Sequence, residues 1–230
     1  MEPLNPIGSI VIPVYNDREQ LAACLAALEN VPARGVEVLV VDGGSTDGST
    51  AALPSGVRVL HARTGRARQM NHGAAAAAGA WLLFLHADTR LPAQAFEEIR
   101  RVLADPRVVG GAFSVDFLES FRGRRLLAFG ANLRAWVLRL PLGDQGLFVR
   151  REHFDAVGGF PDQPLMEDVE FVRRLRRRGR VRVLRARVRT SARRWLREGP
   201  RRTLKNWTLL ALYHAGVSPR RLKQWYSDVR

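Results

Sequence analysis

Cysteine is almost missing from this chain: Cys24 is the only one in 230 residues. No disulfide can form within the chain, so folding rests on a hydrophobic core. Hydrophobic residues make up 46%, which is enough for such a core and too many for a disordered chain. Cys24 shares the helical spacing of Leu21, Leu25 and Leu28, which makes it a small core residue rather than a catalytic thiol. A single cysteine fits a reducing compartment.

Long apolar runs are missing too. The longest, Gly73 to Leu85, is shorter than the roughly 20 residues of a membrane span and splits at Gly79 into a helix end and a strand. After Met1-Glu2-Pro3 there is neither a basic patch nor an apolar stretch of the kind a secretory signal has. The expected location is the cytoplasm, either free or peripheral at the inner face of the membrane.

Acidic residues and lysine are scarce. Lysine and arginine total 37 against 22 acids, for a net charge of +15, and only Lys205 and Lys223 are lysines. Such a balance attracts nucleotides, phosphorylated acceptors, anionic lipid heads or nucleic acid. A genome rich in G and C gives the same composition. The arginines crowd between Arg173 and Arg202, while the first sixty residues are nearly balanced.

Several catalytic signatures are absent. His61, His72, His86, His153 and His214 make no zinc-type pair with one another or with Cys24. No Gly-x-Ser-x-Gly elbow occurs. The turn Asp42-Gly43-Gly44-Ser45-Thr46-Asp47-Gly48 lacks the Lys-Ser/Thr of a P-loop, and its glycines do not match the dinucleotide fingerprint.

What is present is strand–helix alternation. Ser9 to Pro13 reads as a buried strand, followed by a helix capped at Asn16 or Asp17 with Gln20 in a capping box, and stopped at Pro32. Val36 to Val41 is a strand covered on both faces. A short helix runs toward Leu53, Val57 to Leu60 is a third strand, Arg66 to Ala78 a helix, and Trp81 to Leu85 a fourth strand. The pattern predicts an α/β fold with a doubly wound, mainly parallel sheet flanked by helices, whose strand carboxyl ends share one ligand-binding edge. Asn16, Asp42 and Asp88 each follow a strand on that edge.

Beyond residue 91 the reading gives a helix over 92–104, a strand over 110–118 and an amphipathic helix over 124–140 carrying Leu127, Leu133, Trp136 and Leu140. Then come a strand over 146–150, a helix over 168–178, one or two strands over 181–188, and helices over 201–214 and 219–229. Residues 1–190 are read as one domain and 191–230 as a helical extension packed on it.

Asp88 suits Mg²⁺ or Mn²⁺, which need only one or two carboxylates when substrate phosphates supply the other oxygens. Helix capping explains Asp88 as well, and it explains Glu167-Asp168 at a helix start equally. Asp168 alternatively takes a proton from an acceptor hydroxyl. Gly143-Asp144-Gln145-Gly146 is a turn, or else a shaper of the acceptor side through Asp144 and Gln145.

The ordered set Ser9-Ile10-Val11-Ile12-Pro13-Val14-Tyr15-Asn16, Val40-Val41-Asp42-Gly43-Gly44-Ser45-Thr46-Asp47, Gly65 to Asn71, His86-Ala87-Asp88, Gly143 to Gly146 and Glu167-Asp168 resembles family 2 glycosyltransferases of GT-A fold. Within them it is most similar to a small bacterial subgroup associated with arsenosugar biosynthesis. The resemblance covers about residues 9 to 180. It implies an inverting, metal-dependent enzyme that moves a sugar from a nucleotide-diphosphate donor, a UDP-sugar or a GDP-sugar, to a small-molecule or lipid-linked acceptor hydroxyl. It implies that Pro13, Tyr15, Asn16 and Asp42 hold the nucleotide, that Arg66 and Arg68 lie near the diphosphate, and that Asp88 binds Mn²⁺ or Mg²⁺. Asp168, with Glu167, would be the catalytic pair. His86 stands where the family has the first aspartate of Asp-x-Asp, at the ribose.

Two other readings stay open. A nucleotidyltransferase acting on a sugar phosphate would need a glycine-rich basic loop after the first strand, where Pro13-Val14-Tyr15-Asn16 stands. A basic module binding nucleic acid or membrane would use the tail, where arginines mix with Trp195, Trp207, Tyr213, Trp225 and Tyr226. With the transferase reading, no nucleic acid is expected, and peripheral membrane contact falls to this tail.

Overall fold

The computed structural model describes residues 6–29, 31 and 35–226. The first helix ends at Ala26, ahead of the stop expected at Pro32, and the last ends at Trp225, ahead of the Val229 expected. Pro32, Val229 and Met1-Glu2-Pro3 themselves lie outside the described residues.

Strands β1 (Gly8–Val14), β2 (Val36–Asp42), β3 (Val57–His61) and β4 (Trp81–Phe84) run parallel in the order β3-β2-β1-β4. Their apolar, β-branched runs are covered on both faces, and every residue of β1 except Pro13 is buried. Helices α1 (Arg18–Ala26) and α2 (Arg66–Ala76) make the crossovers. Ile10, Ile12, Val38 and Val40 pack with Leu21, Cys24 and Leu25 of α1 on one face. Val11, Val41 and Leu82 meet Ala67, Met70 and Ala74 of α2 on the other.

Two local expectations fail for one reason. No helix forms before Leu53, and Gln20 makes no capping box, because serine and acid side chains take these backbone N–H groups instead. Asp47 accepts from the N–H groups of Arg18 (3.0 Å) and Ser49 (2.9 Å), and Ser49 Oγ accepts from the Asp17 N–H (3.2 Å).

The second half contains β5 (Thr89–Arg90), α3 (Ala95–Leu103), β6 (Val108–Phe117), α4 (Arg124–Leu138), β7 (Leu147–Arg150), α5 (Arg151–Ala156), α6 (Glu167–Leu175) and β8 (Arg180–Thr190). The sheet continues β4-β7-β6-β8-β5. β7 is antiparallel to β4 and β6, and β5 to β8, while β6 and β8 pair in parallel, so the sheet is mainly parallel with β7 and β5 reversed. β8 is one strand, with a slip against β6 between Phe113 and Ser114.

Helix α4 turns the expected face around. Its small residues Ala128, Asn132 and Ala135 are the buried ones. The Asn132 amide donates to Val115 O (2.9 Å) and accepts from Val115 N–H (2.7 Å), binding the helix to β6 as a strand would. Leu133 and Trp136 are exposed, and Leu140 is buried only after the helix has ended.

The tail forms α7 (Arg193–Glu198), α8 (Pro200–His214) and α9 (Pro219–Trp225). Glu119 fastens its start, accepting from Ser191 Oγ and Ala192 N–H, each at 2.6 Å. Leu209 and Leu222 pack on Leu165, and Trp195 stacks on Phe121 at 4.6 Å. Among the described residues no helix is long and apolar enough to cross a membrane.

Candidate active site

The strand order reverses between β1 and β4, the place where doubly wound sheets open a crevice at their carboxyl ends. Pro13 and Tyr15 stand half-buried at the tip of β1. Asn16 follows with φ of 49°, a left-handed conformation that asparagine tolerates. Its Oδ1 accepts from Thr46 N–H (2.8 Å), and its N–H donates to Ser45 Oγ (2.9 Å). Asp42 is 4% exposed. Its Oδ1 accepts from the N–H (2.9 Å) and hydroxyl (2.6 Å) of Ser45, while Oδ2 lies 3.6 Å from His61 Nδ1. Gln69 joins the tips of β1 and β2 by donating to Val14 O (2.7 Å) and Val41 O (2.8 Å).

The first turn of α2 reaches across to the start of α6. Arg66 Nε donates to Glu167 Oε1. Burial opposes the Arg66 charge, but Glu167 and Asp168 outweigh it and hold the guanidinium above its ordinary pKa. Arg68 pairs with Asp162 at 2.9 and 3.0 Å, well exposed to water.

Asp168 is fixed by two backbone donors. Its Oδ2 accepts from Gly143 N–H (2.7 Å) and its Oδ1 from Val169 N–H (2.8 Å). A side-chain carbon on Gly143 would stand 3.1 Å from His86 Nε2 and 3.4 Å from Asp168 Oδ2, so glycine lets the imidazole and carboxylate close around this turn. Burial lowers the pKa of His86 to about 3, with Arg66 and Arg194 adding to it and Asp168 opposing; the ring is neutral at pH 7. Asp144 shifts the other way. Burial, reinforced by Asp168 and Asp88, raises it, against the pull of Arg134. Gln145 is wholly enclosed, accepting from Leu142 N–H (3.1 Å) and Arg134 Nη2 (3.2 Å) and donating to Phe113 O (3.1 Å). It braces the loop.

Asp88 sits between β4 and β5 with 24% of its side chain exposed. Among the described residues its carboxylate oxygens make only long contacts, 3.4 Å to Thr89 Oγ1 and 3.7 Å to Arg193 Nη2. Arg193 is anchored on Asp17 at 2.9 and 3.1 Å. Among the described residues no three His, Cys, Asp or Glu side chains form a metal cage. A lightly held carboxylate still fits a Mg²⁺- or Mn²⁺-type site in which phosphates complete the shell. Sequence reasoning named none of Arg134, Gln69, His61 and Arg193 as site residues.

The model of the family described as Glycosyl transferase family 2 matches residues 9–161. The chain belongs to this family. The match ends before α6, so Glu167 and Asp168 are placed by the structure alone. A PGL/p-HBAD biosynthesis glycosyltransferase of Mycobacterium bovis is 30% identical over 164 residues, 67% of this chain and 63% of that protein. Glycosyltransferase AglE of Haloferax volcanii is 29% identical over 174 residues, 68% of this chain and 57% of that one. The chain thus spans less than two thirds of these curated relatives. A solved mannosyltransferase from Pyrobaculum calidifontis, in complex with GDP-Man and Mn²⁺, superposes with a TM-score of 0.62 over 99% of this chain and 66% of that one, at 19% identity. That likeness gives this family 2 chain the GT-A fold.

Proposed function

We propose that the chain is an inverting glycosyltransferase that moves a sugar from a UDP- or GDP-linked donor to an acceptor hydroxyl. The observation that carries this is a cluster of buried polar atoms without partners among the described residues: His86 Nε2, Arg134 Nε, Asp144 Oδ1 and Glu167 Oε2. Buried polar groups are nearly always paired. His86, Arg134 and Asp144 each feel the charge of Asp168, and Glu167 precedes it in the chain; as a mixed set of donors and acceptors the four suit a ligand dense in hydroxyls.

In this reading Asp42 Oδ2 accepts from the base, and Pro13, Tyr15 and Asn16 form the nucleotide wall. His86, neutral, meets the ribose. Arg66 and Arg68, at the N-terminal turn of α2, face the diphosphate, and Glu167 orients Arg66. Asp168 takes the proton of the acceptor hydroxyl as that oxygen bonds to the anomeric carbon and the bond to the diphosphate breaks, which inverts the centre. Asp144 lines the acceptor side. Asp88 would hold Mn²⁺ or Mg²⁺, which when bound would supply positive charge against the departing diphosphate. The acceptor is a small molecule or a lipid-linked one. Membership in the arsenosugar-associated subgroup belongs to the same proposal and is supported by the ordered motifs. The β1–α1 turn, Tyr15-Asn16-Asp17, has no glycine and no base, unlike the loop a nucleotidyltransferase would need.

The test is thermal: UDP, GDP and their sugars, each with and without Mn²⁺. At a hundredfold excess over Kd, binding adds about 2.7 kcal/mol, several degrees in Tm for a chain of this size. No shift with any nucleoside diphosphate would remove the reading.

A further inference from the structure

Helix α4 shows its large apolar side chains to water. Leu126, Phe129, Leu133, Trp136 and Val137 are exposed, from 43% for Leu133 and Trp136 to 75% for Leu126. They follow helical spacing, so they form one stripe rather than scattered sites. Soluble surfaces seldom carry such a stripe without a partner.

The stripe is edged by arginines. A cleft of about 420 Å³ is lined by Trp136, Val183, Arg185 and Arg187, and a second of about 320 Å³ by Arg139, Arg180, Val181 and Arg182. Strand β8 pairs with β5 only at Arg189 and Thr190, so Arg180 to Val188 have no described neighbour on that side. The alternation of β8 sends Arg180, Arg182, Arg185 and Arg187 to solvent.

The two segments that build this surface carry no acid. None occurs between Glu119 and Asp144, or between Glu170 and Glu198. The segments that build the face are therefore apolar in the centre and positive at the edge, and carry no acid of their own.

We infer that this face docks on a membrane surface rich in anionic phospholipid. The apolar stripe enters the headgroup–acyl boundary, the arginines bind lipid phosphates, and Trp136 sits at the border between them. A nucleic acid would be met by the arginines but gains nothing from Leu126 and Phe129. A second copy of the chain would set like charges against each other. The inference is independent of the sugar-transfer reading. It moves the membrane contact away from the tail, where Trp195 stacks on Phe121 and Tyr213 donates to Glu170.

The full chain is sedimented with vesicles of phosphatidylcholine alone and with added phosphatidylglycerol, at low and high salt. It should pellet with the anionic vesicles and stay in solution with the neutral ones. Leu126→Ser/Phe129→Ser/Leu133→Ser and Arg182→Ser/Arg185→Ser/Arg187→Ser should each weaken binding by more than about tenfold. All six side chains are exposed, so both variants should keep the wild-type Tm and its shift with UDP and Mn²⁺. Trp207→Ser/Trp225→Ser should pellet like wild type. Failure of wild type to pellet with anionic vesicles overturns the inference, as does undiminished pelleting of either triple variant. So does a wild-type dimer that the Leu126/Phe129/Leu133 variant dissolves.

Discussion

Arg193, the first residue of α7, extends to within 3.7 Å of Asp88 Oδ2. Its hydrogen bonds to Asp17 raise its pKa despite partial burial, so it stays cationic throughout the working range. A fixed positive charge therefore stands where the proposed divalent ion would bind. Arg193→Gln should tighten Mn²⁺ binding in the presence of UDP by about two- to fivefold, the scale of a half-exposed ion pair. Asp88→Ala should abolish metal-dependent binding. Titration calorimetry reads both, and weaker Mn²⁺ binding by Arg193→Gln would contradict the arrangement.

Asp168→Asn keeps the shape of the side chain and removes its basicity. It should lower kcat by about 10²- to 10⁴-fold. The thermal shift with nucleoside diphosphate and Mn²⁺ should stay as in wild type. A variant that retains most of its turnover would assign the proton transfer elsewhere.

Gly143→Ala places a methyl between His86 and Asp168, at 3.1 and 3.4 Å. Overpacking of this kind costs about 1–3 kcal/mol. Because the Gly143 N–H also holds Asp168 at 2.7 Å, turnover should fall further than stability. Comparing kcat with Tm for Gly143→Ala and a wild-type control separates the two effects. Lost stability with intact kcat would show that the turn is only a packing element.

Glu119 links the tail to acid. Burial would raise its pKa, but the bonds from Ala192 N–H and Ser191 Oγ, with the Arg193 charge, bring it below 4.5. Its contribution to stability is complete above pH 4.5 and is lost as pH falls through the lowered value. Glu119→Gln should therefore reduce Tm at pH 7, and the gap to wild type should narrow as pH falls below 4.5. A gap that widens in acid would reverse the sign of this argument.

Sequence reasoning recovered the features that repeat. The four parallel strands follow from β-branched runs such as Val36-Glu37-Val38-Leu39-Val40-Val41, and the ligand edge follows from their topology. Asp42, Asp88 and Asp168 stood out because each sits beside a strand end or a helix start. Pairings between distant segments were hidden. Nothing local marks Arg66 as the partner of Glu167, 101 residues away, or Arg193 as the partner of Asp17, 176 away. The orientation of helix α4 was hidden for a different reason. Periodicity shows that a helix has an apolar face, but not whether that face meets the core, and here alanines approach β6 instead.

The stretch bearing Asp88 leaves β4 in mid-sheet and ends in β5, the outermost strand, where Thr89 pairs with Thr190 and Asp88 O accepts from Ser191 N–H at 3.1 Å. Removing everything after Arg189 would spare the first four strands, yet it would unmoor this aspartate. The anchorage of one early residue is written a hundred positions downstream, and fragments that stop short of it should fold without acquiring a working centre.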